Sequence, residues 1–326
     1  MKITRTYADI YAAAALHSII TVTLNPVFDR SLVVPGFERG GTFAVSDSST
    51  VAAGKGVNVS RALRSCAVSS VASGLLPKEG RDAYLARLAH EGITNDFVST
   101  GGNIRTNVTI LDPGRPGETH LREKGPRLPV SALYRLEKKL SAIAGAGSIV
   151  VFSGSLAAGL PFSSYSALVD NVQKAGCHAY LDVSGIPLKK ALVSRPFFVA
   201  PNLDEVRDAL GFRPVRNPDL IRAVGEMHRF GVQYVMITRG KEGIVLSDGR
   251  KTICARVQVA NPVNTVGSGD AALAGSIIGM LGGLDLETTA GLACVFGAAN
   301  TLISGAGTLL QSDIERLSSK VELLPL

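Results

Sequence analysis

Asp270 follows a Gly267-Ser268-Gly269 turn and precedes a long run of small and apolar residues, Ala271 to Leu281. A tight turn feeding the first turn of a buried helix presents backbone N–H groups without intrahelical partners at the positive end of the helix dipole. Such a point welcomes an anion. Glycines let the backbone come close to that anion. A carboxylate there would repel a phosphate, but it makes sense as a general base that takes a proton from a hydroxyl while the amides hold negative charge beside it. The same letters also fit an ordinary first-turn helix acid after a Gly-rich turn.

Five other stretches offer chemistry. In Gly54-Lys55-Gly56-Val57-Asn58, glycines at a helix start, an ammonium and an amide one turn on could bind a phosphate or sugar hydroxyls; a solvated lysine beside a helix start is the plainer reading. Asp29, just past the turn Asn25-Pro26, could accept hydrogen bonds from two hydroxyls or be a simple turn residue. Arg105, with Asn107 beside it, could pair with a phosphate or lie exposed on a strand. Asn202 and Glu205 share a helix start and could hold a hydrated Mg²⁺ through oxygen, or form a helix cap. Thr238, Gly240 and Gly243 sit at the end of an expected strand, where open α/β sheets bind ligands, or in a plain turn. Two common nucleotide loops are absent. Gly54-Lys55-Gly56 lacks the upstream glycine and the hydroxyl of a phosphate-binding G-x-x-x-x-G-K-[ST] loop, and no G-x-G-x-x-G follows the first strand.

The elements that must position these residues follow from periodicity. Ser18–Leu24 reads as a buried first strand. From Val130 onward, apolar strand runs alternate with helical spacing: strands at Ile149–Ser153, His178–Val183, Phe197–Ala200 and Tyr234–Thr238, with helices between them. That alternation predicts an α/β fold with a mostly parallel sheet covered by helices on both faces. The broken β pieces near residues 31–51, including Ser31–Val34 and Thr42–Val45, and near 104–124 predict a small antiparallel β-sheet lid on a single domain, residues 18–326. Residues 1–17 hold a run too short for a signal-peptide core and are expected to be a poorly ordered extension or an alternative translation start.

Bulk properties exclude several classes. Of 326 residues, 46% are hydrophobic and none is tryptophan, which suits a compact enzyme. The net charge of +7 favours anionic ligands, but the cations are dispersed and aromatics few, so no nucleic-acid partner is expected. No apolar run is long enough for a membrane partner. Four scattered cysteines without C-x-x-C spacing point to a reduced, cytoplasmic protein.

The joint order of these motifs resembles the PfkB branch of the ribokinase-like sugar kinases, from about Ser18 to the C-terminus. The resemblance rests on Leu24-Asn25-Pro26-Val27-Phe28-Asp29, Ala53 to Val59, Arg105-Thr106-Asn107, Ser153-Gly154-Ser155-Leu156, Pro201-Asn202 to Glu205, Thr238 to Gly243 and Thr265 to Asp270. The first two blocks are similar to those of the phosphosugar-kinase subgroup. The resemblance implies an ATP- and Mg²⁺-dependent kinase for a ketohexose phosphate, with fructose 1-phosphate as the leading acceptor and tagatose 6-phosphate or fructose 6-phosphate as alternatives. It implies Asp270 as base and the amides of Gly267, Ser268 and Gly269 as anion hole. Asp29 and Asn58 would hold sugar hydroxyls, and Lys55 and Arg105 the substrate's phosphate, with Gly54 and Gly56 shaping that cradle. Asn202 and Glu205 would organise Mg²⁺, Thr238, Gly240 and Gly243 would border the nucleotide, and Asn300 would lie near the adenine. A homodimer through the β lid is also implied. The family usually has lysine where this chain has Ala200, which leaves a phosphosugar-binding protein of weakened turnover as a reading of another class.

Overall fold

The computed structural model describes residues 5–115 and 117–326. The strands are β1 (Ile19–Thr23), β2 (Val27–Val33), β3 (Asp47–Ala53), β4 (Val71–Glu79), β5 (Thr94–Asn103), β6 (Arg105–Leu111) and β7 (Glu118–Arg122). They continue with β8 (Ile149–Ser153), β9 (His178–Asp182), β10 (Phe198–Val199), β11 (Tyr234–Thr238), β12 (Ile244–Ser247), β13 (Thr252–Arg256) and β14 (Glu322–Pro325). The helices are α1 (Tyr7–Ala14), α2 (Lys55–Ser65), α3 (Arg81–His90), α4 (Ser131–Ile143), α5 (Ser164–Lys174) and α6 (Gly185–Ala191). Then come α7 (Leu203–Leu210), α8 (Asn217–Arg229), α9 (Ser268–Leu281), α10 (Leu286–Asn300) and α11 (Gln311–Ser318).

Ten strands form one sheet in the order β14-β13-β12-β11-β10-β9-β8-β1-β4-β5. The run from β5 to β11 is parallel; β12, β13 and β14 add antiparallel edges. Side chains alternate across it as strand geometry demands. Val150 and Phe152 join a core with α4, α5, α6, α7 and α8, while Ile149 and Val151 point the other way, toward α1, α2, α9, α10 and α11. Strands buried on both faces explain the near-continuous apolar runs of β1 and β8. The chain steps from β1 to β4 on one side and to β8 on the other, so strand order reverses at β1. Ligand crevices open outside the strand ends at such a point.

The lid is a separate four-stranded sheet, β3-β2-β6-β7. It corrects the sequence reading in two respects. Its central pair, β2 with β6, is parallel, so the sheet is mixed. Residues 42–45 are not a strand: β3 begins at Asp47, because the glycines at 40 and 41 and the segment after them pair with no strand. The loop tip at residue 116 lies outside the described residues.

The expectation of a poorly ordered N-terminus is corrected for the described part. Thr6 and Asp9 form a reciprocal capping box, and α1 places Ile10 and Ala14 fully buried against the second core. Tyr7, Ile10, Tyr11 and Ala14 are spaced as one helical face. Arg5 donates from Nη1 to the Gly282 carbonyl at 2.6 Å, placing a cation at the C-terminus of α9. Residues 1–4 lie outside the described residues. Among those described, no helix is long and apolar enough to cross a membrane, and all four cysteines are free and buried.

Candidate active site

Two glycine turns bring α2 and α9 nose-first to the reversal point. Gly56 packs so tightly on β1 that a Cβ would stand 2.7 Å from Thr23 Oγ1 and 3.1 Å from the Val22 carbonyl. Gly267, at φ +82°, caps α9 in the left-handed region, where a Cβ would also strike Ala306 at 2.6 Å. Ser268 turns its N–H back to Thr265 O at 3.3 Å, and Ala271 N bonds Gly267 O. The amides of Gly269 and Asp270 lie between them in the first helical turn, where no intrahelical acceptor exists.

Asp270 is 4% exposed and accepts a 2.8 Å hydrogen bond from Asn58 Nδ2. Burial first, and then the negative charge of Asp182, push its carboxyl up to about 7, against the opposing pull of Lys55 and Asn58. Asp182, at the end of β9, is itself buried, and its Oδ2 has no hydrogen-bond partner. A protonated Asp270 is near enough to donate to Asp182. The sequence reading did not single out Asp182, because a strand-end aspartate has no motif of its own.

Lys55 lines the cavity through contacts of its own. Its ammonium lies 3.0 Å from Asp182 Oδ1 and 3.5 Å from Glu205 Oε1, whereas the partners of Arg105 are Asn25, Asn107 and Glu123. The two cations expected to share one phosphate therefore have no partner in common. Burial alone would lower the Lys55 pKa; the charges of Asp182, Glu205 and Asp270 win and raise it, so the ammonium stays charged. Glu205 is raised by burial, with Lys55 opposing.

The lid contributes a second group. Asn107 donates to Asp29 Oδ1 at 2.9 Å, and burial raises the Asp29 carboxyl. Arg105 is held by the carbonyls of Asn25 (3.2 Å) and Glu123 (3.1 Å). Arg122, opposite Asn107 in the β6–β7 ladder, lines the same cavity and was missed by the sequence reading. Both guanidiniums are near enough to Asp29 to act on its charge.

These residues enclose a cavity of about 330 Å³, lined at one end by Asp29, Arg105 and Arg122 and at the other by Lys55, Asp182 and Asp270. Gly54, Asn58 and Ala200 line it too; Gly56 packs behind it. A second, more apolar cavity of about 550 Å³ holds Thr238, Gly240, Gly243, Val257, Val259 and Ala298. Asn202, Thr238, Thr265, Ser268 and Gly269 border both. The cavities thus meet at the α9 turn.

Asn300 is corrected. It is fully buried and does not line the second cavity; its Nδ2 holds Val266 O at 2.9 Å and Ser268 Oγ at 3.3 Å, and its Oδ1 accepts from Gly307 N at 2.7 Å. It braces the α9 turn. Asn202 is half corrected, since its Oδ1 accepts from the amides of Asp204 and Glu205 as a helix cap, and Glu205 Oε2 accepts from Asn202 N. Among the described residues no group of three acidic, histidine or cysteine side chains could hold a metal directly. Glu205 lines the smaller cavity, with Oε1 3.5 Å from the Lys55 ammonium. That donor set fits an ion that keeps its own water shell, as Mg²⁺ tends to, and not a bare one.

A family model described as pfkB family carbohydrate kinase matches residues 22–313. The chain is 34% identical to 1-phosphofructokinase of Rhodobacter capsulatus over 281 residues, covering 85% of this chain and 88% of that one. It is 27% identical to tagatose-6-phosphate kinase of Staphylococcus epidermidis, over 94% and 99%. Among solved structures, phosphofructokinase-2 of Escherichia coli in complex with potassium superposes with a TM-score of 0.88 at 23% identity, over 93% of this chain and 98% of that one.

Proposed function

Because the chain belongs to the pfkB family of carbohydrate kinases, we propose that it transfers a phosphoryl group from ATP to a hydroxyl of a ketohexose phosphate, fructose 1-phosphate giving fructose 1,6-bisphosphate. The single observation that carries the reading is the meeting of the two cavities at Ser268 and Gly269, beside Asp270. The larger, apolar cavity suits a purine nucleotide, with Thr238, Gly240 and Gly243 along its border. The smaller one suits a phosphosugar, with Asp29 and Asn107 for hydroxyls and Arg105 with Arg122 for the phosphate.

Asp270 takes the proton of the attacking hydroxyl, a task that a carboxylate of pKa about 7 can perform near neutrality. The first-turn amides of α9 hold the charge of the transferring group. Lys55, kept charged by Asp182 and Glu205, adds a cation to the smaller cavity, which Ala200 also lines without one. Mg²⁺ would neutralise phosphate charge there, with Glu205 and Asn202 holding its water shell. Positioning and charge account for most of phosphoryl-transfer catalysis, and this inventory supplies both. The buried free cysteines fit a reducing, cytoplasmic setting. Leu121, 55% exposed on the lid's edge strand, supports a homodimer through the lid, which sedimentation would read.

A coupled ADP-release assay across fructose 1-phosphate, tagatose 6-phosphate, fructose 6-phosphate and their unphosphorylated sugars tests the proposal. The highest kcat/KM is expected with fructose 1-phosphate. Activity confined to unphosphorylated sugars would overturn it.

A further inference from the structure

Arg61, on α2, uses every N–H of its guanidinium inside the protein. Nε donates to Glu91 Oε2 at 2.6 Å and Nη2 to Glu91 Oε1 at 3.2 Å. Nη2 also donates to Ala52 O at 2.7 Å, and Nη1 to Ala306 O and Asn58 Oδ1, both at 3.0 Å. A guanidinium has five donors in a rigid fork, and all are matched here. The side chain is only 11% exposed.

The bond to Asn58 matters most, because the other end of that amide holds Asp270. An amide flip would turn the Asn58 oxygen toward a carboxylate and its NH₂ toward a cation. Both contacts would be repulsive. A guanidinium that occupies the oxygen end therefore fixes which end faces the base. The remaining charged groups facing Asp270 are Lys55 from α2 and Asp182 from β9, and neither touches the Asn58 oxygen.

We infer that Arg61 is a positioning residue for phosphoryl transfer, clamping Asn58 so that its N–H, and not its oxygen, meets Asp270. Nothing in the sequence motif demands an arginine at this point, and Arg61 lines neither cavity. The inference rests on Asp270 being the base. The same guanidinium ties Ala52, at the end of lid strand β3, to Ala306, which packs on Gly267. The clamp thus joins the lid's root, the base's partner and the support of the α9 turn.

A double-mutant cycle on the full-length enzyme separates this from a merely structural role. Arg61→Met is expected to lower kcat by roughly 10- to 100-fold while the KM for ATP stays within about twofold, the scale of a misplaced catalytic group. In an Asn58→Ala background the same change should cost little more, because the pair acts as a unit. An equal loss in both backgrounds, or an unchanged kcat, would overturn the inference. Should Arg61→Met fail to fold, Arg61→Lys keeps the charge beside Glu91 but cannot fork to Asn58 as well. It should fold with kcat reduced, and full kcat would refute the clamp. Asp270→Asn assayed alongside distinguishes the two readings: if it stays active, the base itself is misassigned, whereas if it is inactive and the Arg61 variants are not, only the clamp fails.

Discussion

Burial and the charge of Asp182 bring the Asp270 carboxyl to about 7, so as the proposed base it would gain its working form only as pH rises through neutrality. The kcat/KM profile should climb with pH and level off above an inflection near 7. Asp270→Asn should cut kcat by roughly 10²- to 10⁴-fold, a range typical of lost general-base catalysis. The same shift has a stability side. From the ordinary carboxylate range up to about 7, the folded protein holds a proton that the unfolded chain has lost. Stability therefore falls as pH rises through that window, and the cost is fully present above it. Asp270→Asn should thus melt at a higher temperature than the wild type at pH 8, with the gain fading toward pH 4; no gain at pH 8 would refute the burial argument. Residue types at Asp270, Asp29 and Arg105 were legible because glycine turns and turn-proximal acids leave a local pattern. Asp182, Arg122 and the role of Arg61 were not, since contacts across the fold decide them. The carboxylate partners of Lys55 and the bracing bonds of Asn300 were illegible for the same reason: each is a contact across the fold.

At the level of elements, strand bounds came out well where the run is clean and largely buried, as in β8 and β11. They came out poorly where the pattern is broken. The lid strand β3 was placed too early because Gly40 to Ser46 carries turn residues without alternation. Helix α1 escaped notice although its apolar face repeats at helical spacing, because eight residues is short for an isolated helix and only packing against α9 makes it stable. Ile10 is the test. Ile10→Ala removes a fully buried side chain that packs against Gly282, and such a change costs about 2–5 kcal/mol. Calorimetry should give a lower Tm with KM for ATP and sugar unaltered. A Tm equal to the wild type would mean α1 does not dock in solution.

For the whole molecule, the candidate site is an intersection: strand ends from β9 and β11, helix starts from α2, α7 and α9, and lid residues from β2, β6 and β7. No one of these carries the chemistry, which is why the fold class could be read from alternating elements while the contacts inside the cavity could not. The order of the large sheet has a further consequence, for the time during which the chain is being made. β1 pairs with β8, Ile19 opposite Ile149, so the strand at the reversal point emerges early and waits through about two-fifths of the chain for its second neighbour. All five of its residues are destined for burial, and until β8 arrives one edge of the strand stays unpaired although β4 can pair with the other. A fragment ending at residue 145 should therefore stay without fixed tertiary structure, binding a hydrophobic dye and aggregating, whereas cooperative folding should return once the chain extends past the whole large sheet. The long wait for β8 predicts that the nascent enzyme engages holding chaperones, which ribosome-bound chains stalled before and after residue 153 would read.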